Sequence, residues 1–237
     1  DLQNALNAAE RVHGVHRRVR GTLPESAAAY AKGTPYEAND RQALFWVLST
    51  LTDTAIRVYG DLVQPLSLSE CEELYRGSLR MALLFGLLPD ELPPDYAAFQ
   101  RYLDVSLHSD KLVVTPTAKA LAAQILTPPS PVAAPVFRSI RAYTAYLLPE
   151  RLREGFGLSY GAGDRLIVST LRATLRQLIP RLPPSVRYFP AYHDAERRLR
   201  GEPLHDRQSH AIARLWLKLL RPSPSLRGIR LRDLFAS

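Results

Sequence analysis

Cysteine is nearly absent from this chain, which has 237 residues and a single cysteine, Cys71. One thiol cannot form a disulfide or a thiolate metal cluster within the chain. So little cysteine is typical of a protein in a reducing compartment, and we expect a cytoplasmic location. Cys71 falls early in a predicted helix, and we interpret it as a structural residue rather than a reactive one.

Long apolar runs are also missing. The longest, MALLFGLL at 81–88, is far shorter than the roughly 20 residues that a membrane-spanning helix needs, so we expect no transmembrane span. The sequence contains no GxSxG, Walker, dinucleotide-binding or HExxH motif, which argues against the enzyme classes that these motifs mark. It starts at Asp1 without a methionine, and we expect further residues upstream.

Basic residues outnumber acidic ones, and the formal net charge is +8. The excess is mostly arginine spread along amphipathic helices, which is typical of solvated helix faces. We expect no specific nucleic-acid binding, because helix-turn-helix, zinc-finger and RNP signatures are absent. A basic helical protein that binds nucleic acid or an anionic membrane is the weakest of the functional hypotheses.

Apolar residues recur at helical spacing, and alternating strand patterns are rare apart from LVVT at 112–115. The sequence therefore predicts an all-α fold: one multi-helix domain over 1–200 and a basic C-terminal extension over 201–237. Gly21 is predicted to end the first helix, and Ser69 with Glu72 to form the capping box of the third. Asn39 or Asp40 is predicted to cap the second helix. The predicted helices are 2–20, 41–63, 69–88, 95–108, 116–126, 134–155, 163–182, 190–200 and 205–221.

Two histidines lie in the segment RVHGVHRRVRG at 11–21. On a helical wheel at about 100° per residue, Val12 and His16 fall on the apolar face and His13 at its border. A buried imidazole needs a partner. The pattern alone leaves two interpretations of His16 open: a core histidine hydrogen-bonded to a neighbour, or a ligand of a metal or haem iron.

The second helix has a similar apolar side. Leu48 and Ala55 lie on it, Thr52 lies beside it, and Trp46 is predicted on the far side. Together with Val12 from the first helix, these apolar-side residues are our candidates for the lining of an internal pocket: Val12, Leu48, Thr52 and Ala55.

Several segments, in order, resemble the MpaB-type oxygenase family, which includes the rubber oxygenases, also called latex-clearing proteins. They are VHRRVRGTLPE, GTPYEAND, LFWVLSTLTDTAI, PLSLSECEELY, LPPDYAAFQRYLD and LLPERLREGFGL, and the likeness covers roughly residues 8 to 192. The resemblance implies a globin-like helical core that holds a b-type haem, with dioxygen and an unsaturated, isoprenoid-like apolar molecule as substrates. His16 matches the proximal iron ligand, and His13 is a second candidate for cofactor binding.

Two departures from the family pattern define an alternative. Many relatives read WVHATL where this chain reads WVLSTL, so Leu48 stands where the motif carries a histidine. The family also has a basic and threonine-containing segment upstream of the proximal histidine, and the sequence begins after that point. The alternative is a haem-free, non-catalytic relative that binds an apolar ligand or a protein partner.

The extension over 201–237 lies outside the resemblance. Its segment SHAIARLWLKLL is amphipathic, with Ile212, Leu215, Trp216 and Leu219 on one side. We expect this segment to pack on the domain surface. A dimer contact, which would make the protein a homo-oligomer, and a helix on a membrane surface are the alternatives.

Overall fold

The computed structural model describes residues 2–202, and these residues are predominantly helical. They form ten α-helices, three short 3₁₀ turns and one two-stranded sheet, which confirms the all-α prediction. The elements in chain order are α1 Leu2–His16, β1 Arg20–Thr22, β2 Pro35–Glu37, α2 Arg41–Leu62, α3 Leu68–Leu84, α4 Tyr96–His108, α5 Pro116–Ile125, α6 Ala134–Leu147, α7 Glu150–Phe156, α8 Ala162–Leu178, α9 Pro184–Arg187 and α10 Pro190–Leu199.

The described residues divide into two compact units. The first comprises residues 2–119 and 149–157, and the second comprises residues 120–148 and 158–202. The predicted division at residue 200 stays a prediction. The predicted helix over 205–221 and nearly all of the predicted extension lie outside the described residues.

The first helix is shorter than predicted. It ends at His16, and Arg20–Thr22 instead pairs antiparallel with Pro35–Glu37. Gly21 lies opposite Tyr36 in this ladder, and a Cβ at Gly21 would come within 3.0 Å of the Tyr36 hydroxyl oxygen. The glycine therefore permits a close strand contact and does not cap the helix, because the long-range pairing replaces the last predicted turn.

Local side-chain caps fix the starts of the next helices. Asp40 caps α2 by accepting a hydrogen bond from the Ala43 amide at 2.8 Å, as the sequence indicated. The capping box of α3 consists of Ser67 and Glu70, not the predicted Ser69 and Glu72. The helix ends at Leu84, earlier than predicted, and Gly86 follows with a positive φ of 83°.

Proline separates two helices that the sequence analysis joined. The predicted helix 134–155 is interrupted at Leu148 and Pro149, and Leu148 is extended with ψ 137°. A residue before proline avoids the helical region, which accounts for the break. The segment 112–115 is irregular and not a strand, whereas Thr115 caps α5 through the Ala118 amide at 3.2 Å.

The core of the first unit joins α2, α3 and α4. Tyr75 of α3 and Phe99 of α4 are each 1% exposed, and their rings stack at 4.6 Å. The Tyr75 hydroxyl donates to the Pro93 carbonyl at 2.7 Å, which satisfies its one buried polar atom. Trp46, predicted on the side of α2 away from Leu48, is partly buried and packs against this cluster.

The second unit is built on the packing of α6 against α8. Ala142 and Ala145 of α6 and Val168 of α8 are buried, and small side chains let the two helices approach closely. Tyr143 and Tyr146 of α6 lie 5.6 Å apart, and the Arg172 guanidinium of α8 lies 5.8 Å from the Tyr146 ring centre.

Candidate functional site

The two histidines of α1 have different surroundings. His13 is exposed, whereas His16, at the C-terminal end of the helix, is half-buried. The Nδ1 atom of His16 is buried and forms no hydrogen bond within residues 2–202. A buried imidazole nitrogen without a hydrogen-bond partner is an unsatisfied polar atom, and such an atom is compatible with a side chain that would hold a haem iron.

The end of α1 is anchored to the start of α2. The Asn39 side-chain amide donates to the His13 carbonyl at 3.4 Å, and the Ala38 amide donates to the Val19 carbonyl at 2.9 Å. Helix α1 also contacts α3. These contacts fix the backbone on both sides of His16, which orients an imidazole better than a free helix end would.

An apolar cavity of about 720 Å³ lies between α2 and α3. Three of the four predicted pocket residues, Leu48, Thr52 and Ala55, line it. Helix α3 contributes Leu74 and Met81 to the opposite wall. The cavity therefore brings together the predicted residues of α2 and adds the apolar side of α3, which the sequence analysis did not identify.

The remaining predicted site residues lie elsewhere. Within the described part of the chain, Val12, His13 and His16 are not among the residues that line this cavity. Val12 is 37% exposed, and its side chain is accessible to solvent. The structure thus places the candidate iron ligand on α1 and the candidate apolar pocket between α2 and α3.

The polarity of the α2–α3 cavity is set by few groups. Thr52 is 9% exposed, and its hydroxyl belongs to an otherwise aliphatic stretch of α2. The charged lining residues are Glu70 and Glu73. Hydrogen bonds from the backbone amide and hydroxyl of Ser67 lower the pKa of Glu70, so this carboxylate is committed to the capping box rather than to acid–base chemistry.

Other ionisable groups of α3 also stabilise the fold through hydrogen bonds. Glu72 accepts from the Tyr96 amide at 2.7 Å and from the Arg76 side chain at 2.6 Å, and these bonds lower its pKa. Burial, with the neighbouring Cys71 thiol, raises the pKa of Tyr96 to about 12. Cys71 itself is buried, which agrees with a structural thiol.

A second cavity, of about 750 Å³, lies beside the start of α2. Its walls include the aromatic side chains of Phe45, Trp46 and Tyr102, and Arg41 pairs with Glu91 at 2.8 Å. Sequence reasoning missed this cavity. The adjacent aromatics Phe45 and Trp46 were the available signal, but their apposition to α4 depends on tertiary packing.

Residues 2–202 contain neither a multi-ligand metal site nor a membrane-spanning helix. No cluster of three or more His, Cys, Asp or Glu side chains there could hold a metal ion. A haem iron needs only one protein ligand, so this result does not bear on His16. No helix in the same range has the length and apolar character needed to cross a bilayer.

Comparison with known proteins identifies the family. Residues 1–177 match the family model described as ER-bound oxygenase mpaB/B'/Rubber oxygenase, catalytic domain. No curated protein and no solved structure matches the chain. The family match covers about three quarters of the sequence and confirms the resemblance drawn from its motifs. The chain therefore belongs to the MpaB and rubber oxygenase family of oxygenase catalytic domains.

Proposed function

We propose that this oxygenase domain is haem-dependent and uses dioxygen to cleave or oxidise an unsaturated, isoprenoid-like apolar molecule. His16 would hold the haem iron in this proposal. The observation that supports it most directly is the buried Nδ1 of His16, which forms no hydrogen bond among the described residues. An unpaired buried nitrogen costs folding free energy, and iron coordination would offset that cost.

The cavity between α2 and α3 supports an apolar substrate. Leu48, Ile56, Leu74 and Met81 offer aliphatic surface, and the cavity volume of about 720 Å³ suits a molecule of drug-like size or a segment of a longer chain. Thr52 supplies a hydroxyl in this wall. Such a lining binds an alkene by excluding water rather than by directional hydrogen bonds.

A bound haem would supply the dioxygen and redox chemistry. The protein's own contribution is to orient His16 through the anchored end of α1 and to hold an apolar substrate away from water. Glu70, one of the two carboxylates that line the cavity, takes no catalytic part in this proposal because it is engaged in the capping box.

Haem binding can be tested by spectroscopy. The purified full chain, reconstituted with haemin, should show a Soret band, and His16→Ala should lose it or bind haemin at least about tenfold more weakly. His13→Ala is the matched control, because His13 lies on the same helix but is exposed. The His13→Ala spectrum should equal that of the unsubstituted protein.

Either of two results would contradict the proposal. If the unsubstituted protein gives no Soret band, or if His16→Ala retains the full band and affinity, His16 is not the iron ligand. Circular dichroism of both variants should match that of the unsubstituted chain, so a lost band cannot be attributed to unfolding.

A second candidate function is a haem-free relative that binds an apolar ligand. The observation that favours it is Leu48, which stands at the histidine position of the family motif and presents an aliphatic side chain to the cavity. In that case the haem-free protein should bind an apolar fluorescent probe, and Leu48→Asp should weaken binding about tenfold or more. A Soret band that responds to reductant and dioxygen would exclude this function.

The control for the probe experiment is Val47→Asp. Val47 is adjacent to Leu48 but is 55% exposed and does not line the cavity, so the same charge should leave probe binding unchanged there. Equal losses in the two variants would show that the added charge acts through general destabilisation and not through the cavity.

A further inference from the structure

Charge is distributed unequally between the two units. Residues 2–119 and 149–157 carry 14 basic and 16 acidic side chains, a formal charge of −2. Residues 120–148 and 158–202 carry 10 arginines, no lysine and 4 acidic side chains, a formal charge of +6. The second unit is therefore strongly basic through arginine alone, and it would attract an anionic surface.

Helix α10 of this unit also exposes a line of large apolar side chains. Phe189, which caps the helix, is 74% exposed, Tyr192 is 47% exposed and Leu199 is 85% exposed. Their separations of three and seven residues place them on one side of the helix. Three large apolar side chains in a row on a ten-residue helix are an unfavourable surface in water and mark a contact face.

Helix α10 itself contains two arginines and two acidic side chains, so its formal charge is zero and the excess of arginine lies in the rest of the unit. Glu196 is paired with Arg200 at 3.1 Å, and Asp194 is half-buried. Arg187, before the helix, stacks over the Tyr188 ring with its guanidinium 5.2 Å from the ring centre. Arg197 and Arg198 follow in the last turn of α10. The apolar side of the helix is thus flanked by arginine at both ends.

From these observations we infer that α10 is the contact helix through which the protein binds peripherally to an anionic lipid bilayer. Phe189, Tyr192 and Leu199 enter the interface between headgroups and acyl chains, and the arginines pair with lipid phosphates. A second copy of the chain is a poor partner for this face, since two units of +6 repel. A nucleic acid would match the arginines but would leave Leu199 exposed.

The test uses the full chain and sedimentation with vesicles. We expect at least about tenfold more protein bound to phosphatidylcholine vesicles that contain about one third phosphatidylglycerol than to phosphatidylcholine alone, with binding reduced by salt. The double variant Phe189→Ser/Leu199→Ser should lose about tenfold in binding to the anionic vesicles. Its residues 203–237 are unchanged, so a loss can be assigned to α10.

The matched control is Val105→Ser. Val105 is an apolar side chain of α4 that is 70% exposed in the first unit, and its variant should bind vesicles like the unsubstituted chain. Equal binding to neutral and anionic vesicles, or unchanged binding of the double variant, would overturn the inference. Salt-sensitive binding to single-stranded RNA with no vesicle binding would assign the arginines to nucleic acid and overturn it as well. Haem plays no part in this test, so its result is independent of the proposed reaction.

Discussion

His13 and His16 are three positions apart in the sequence, yet only one of the two imidazoles is withdrawn from solvent. The helical wheel ranked them correctly, because a residue in the middle of an apolar face faces the packed side of its helix. The wheel could not show whether the Nδ1 atom of His16 is buried or hydrogen-bonded. Its burial without a hydrogen bond from residues 2–202 is a property of the folded chain, which the pattern of one helix does not contain.

Two helical glycines have opposite surroundings. In α7, a Cβ at Gly155 would lie 2.9 Å from the Val114 Cβ and Cγ2 atoms, whereas one at Gly163 in α8 would meet nothing within 4 Å. We expect Gly155→Ala to lower the free energy of unfolding by about 1–3 kcal/mol through overpacking. Gly163→Ala should raise it by up to about 1 kcal/mol, because alanine is the better helix former.

Thermal or urea unfolding of the two glycine variants checks this expectation. Both substitutions add one methyl group, so Gly163→Ala is the control for the effect of that methyl group on helix propensity. If Gly155→Ala is as stable as the unsubstituted protein, then Val114 can move aside and the contact between α7 and the segment at 112–115 is looser than the structure indicates.

At the scale of elements, the starts of helices were the most predictable feature. Asp40, Asp95 and Thr115 cap α2, α4 and α5 where the sequence analysis placed those starts, since a cap needs only a polar side chain and an amide three residues on. Helix ends were less predictable. Strand pairing with Pro35–Glu37 determines where α1 ends, and no pattern within residues 2–20 indicates that pairing strand.

The predicted cap of α3, Ser69, and the observed cap, Ser67, can be distinguished by substitution. The Ser67 hydroxyl accepts from the Glu70 amide at 3.3 Å and donates to the Glu70 carboxylate at 2.7 Å. We expect Ser67→Ala to lower the free energy of unfolding by about 1 kcal/mol. Ser69→Ala should leave it nearly unchanged, because Ser69 lies inside the first helical turn.

Urea unfolding of these two serine variants is the measurement. Both substitutions remove a serine hydroxyl, at positions two residues apart. Their comparison therefore isolates the contribution of the cap from that of helix propensity. A larger loss of stability in Ser69→Ala than in Ser67→Ala would mean that the helix begins where the sequence analysis first placed it.

For the molecule as a whole, four carboxylates of the first unit have pKa values that the fold lowers. They are Glu25, Glu70, Glu72 and Glu91. Hydrogen bonds to the charged form are the first cause of each shift, from Thr117, Ser67, Tyr96 and Leu88 respectively. The folded form therefore favours ionised carboxylates more than the unfolded form does.

The sign of the pH dependence follows from these shifts. A carboxyl group whose pKa is lowered by folding stabilises the protein above its unfolded pKa, and this contribution is lost as the pH falls through the folded pKa. We expect amide exchange in 68–108 to rise more than that in 162–178 between neutral pH and about pH 4, after correction for intrinsic rates. Hydrogen-exchange mass spectrometry measures both segments in one sample.

Glu72→Gln tests the cause of that acid sensitivity. Glutamine cannot ionise, so amide exchange in 68–108 of the variant should differ from that of the unsubstituted protein at neutral pH. The two exchange rates should become similar in acid, where Glu72 is protonated. Glu73→Gln, on the same helix and exposed, is the control and should show no such convergence. Equal acid responses of the two segments would contradict the assignment of acid sensitivity to the first unit.

The sequence by itself determined the all-α class, the family and most helix starts. Those features follow from local spacing, from capping chemistry and from ordered motifs that are read along the chain. Its predictions of a homo-oligomer and of the extension over 201–237 stay predictions.

Only the tertiary structure decided which residues meet. It placed Leu48, Thr52 and Ala55 with Leu74 and Met81 around one cavity, left Val12 exposed, and packed Trp46 against the cluster that contains Tyr75 and Phe99. It also showed the exposed line on α10. Periodicity tells which face of a helix is apolar, but the neighbouring elements determine how much of that face is covered.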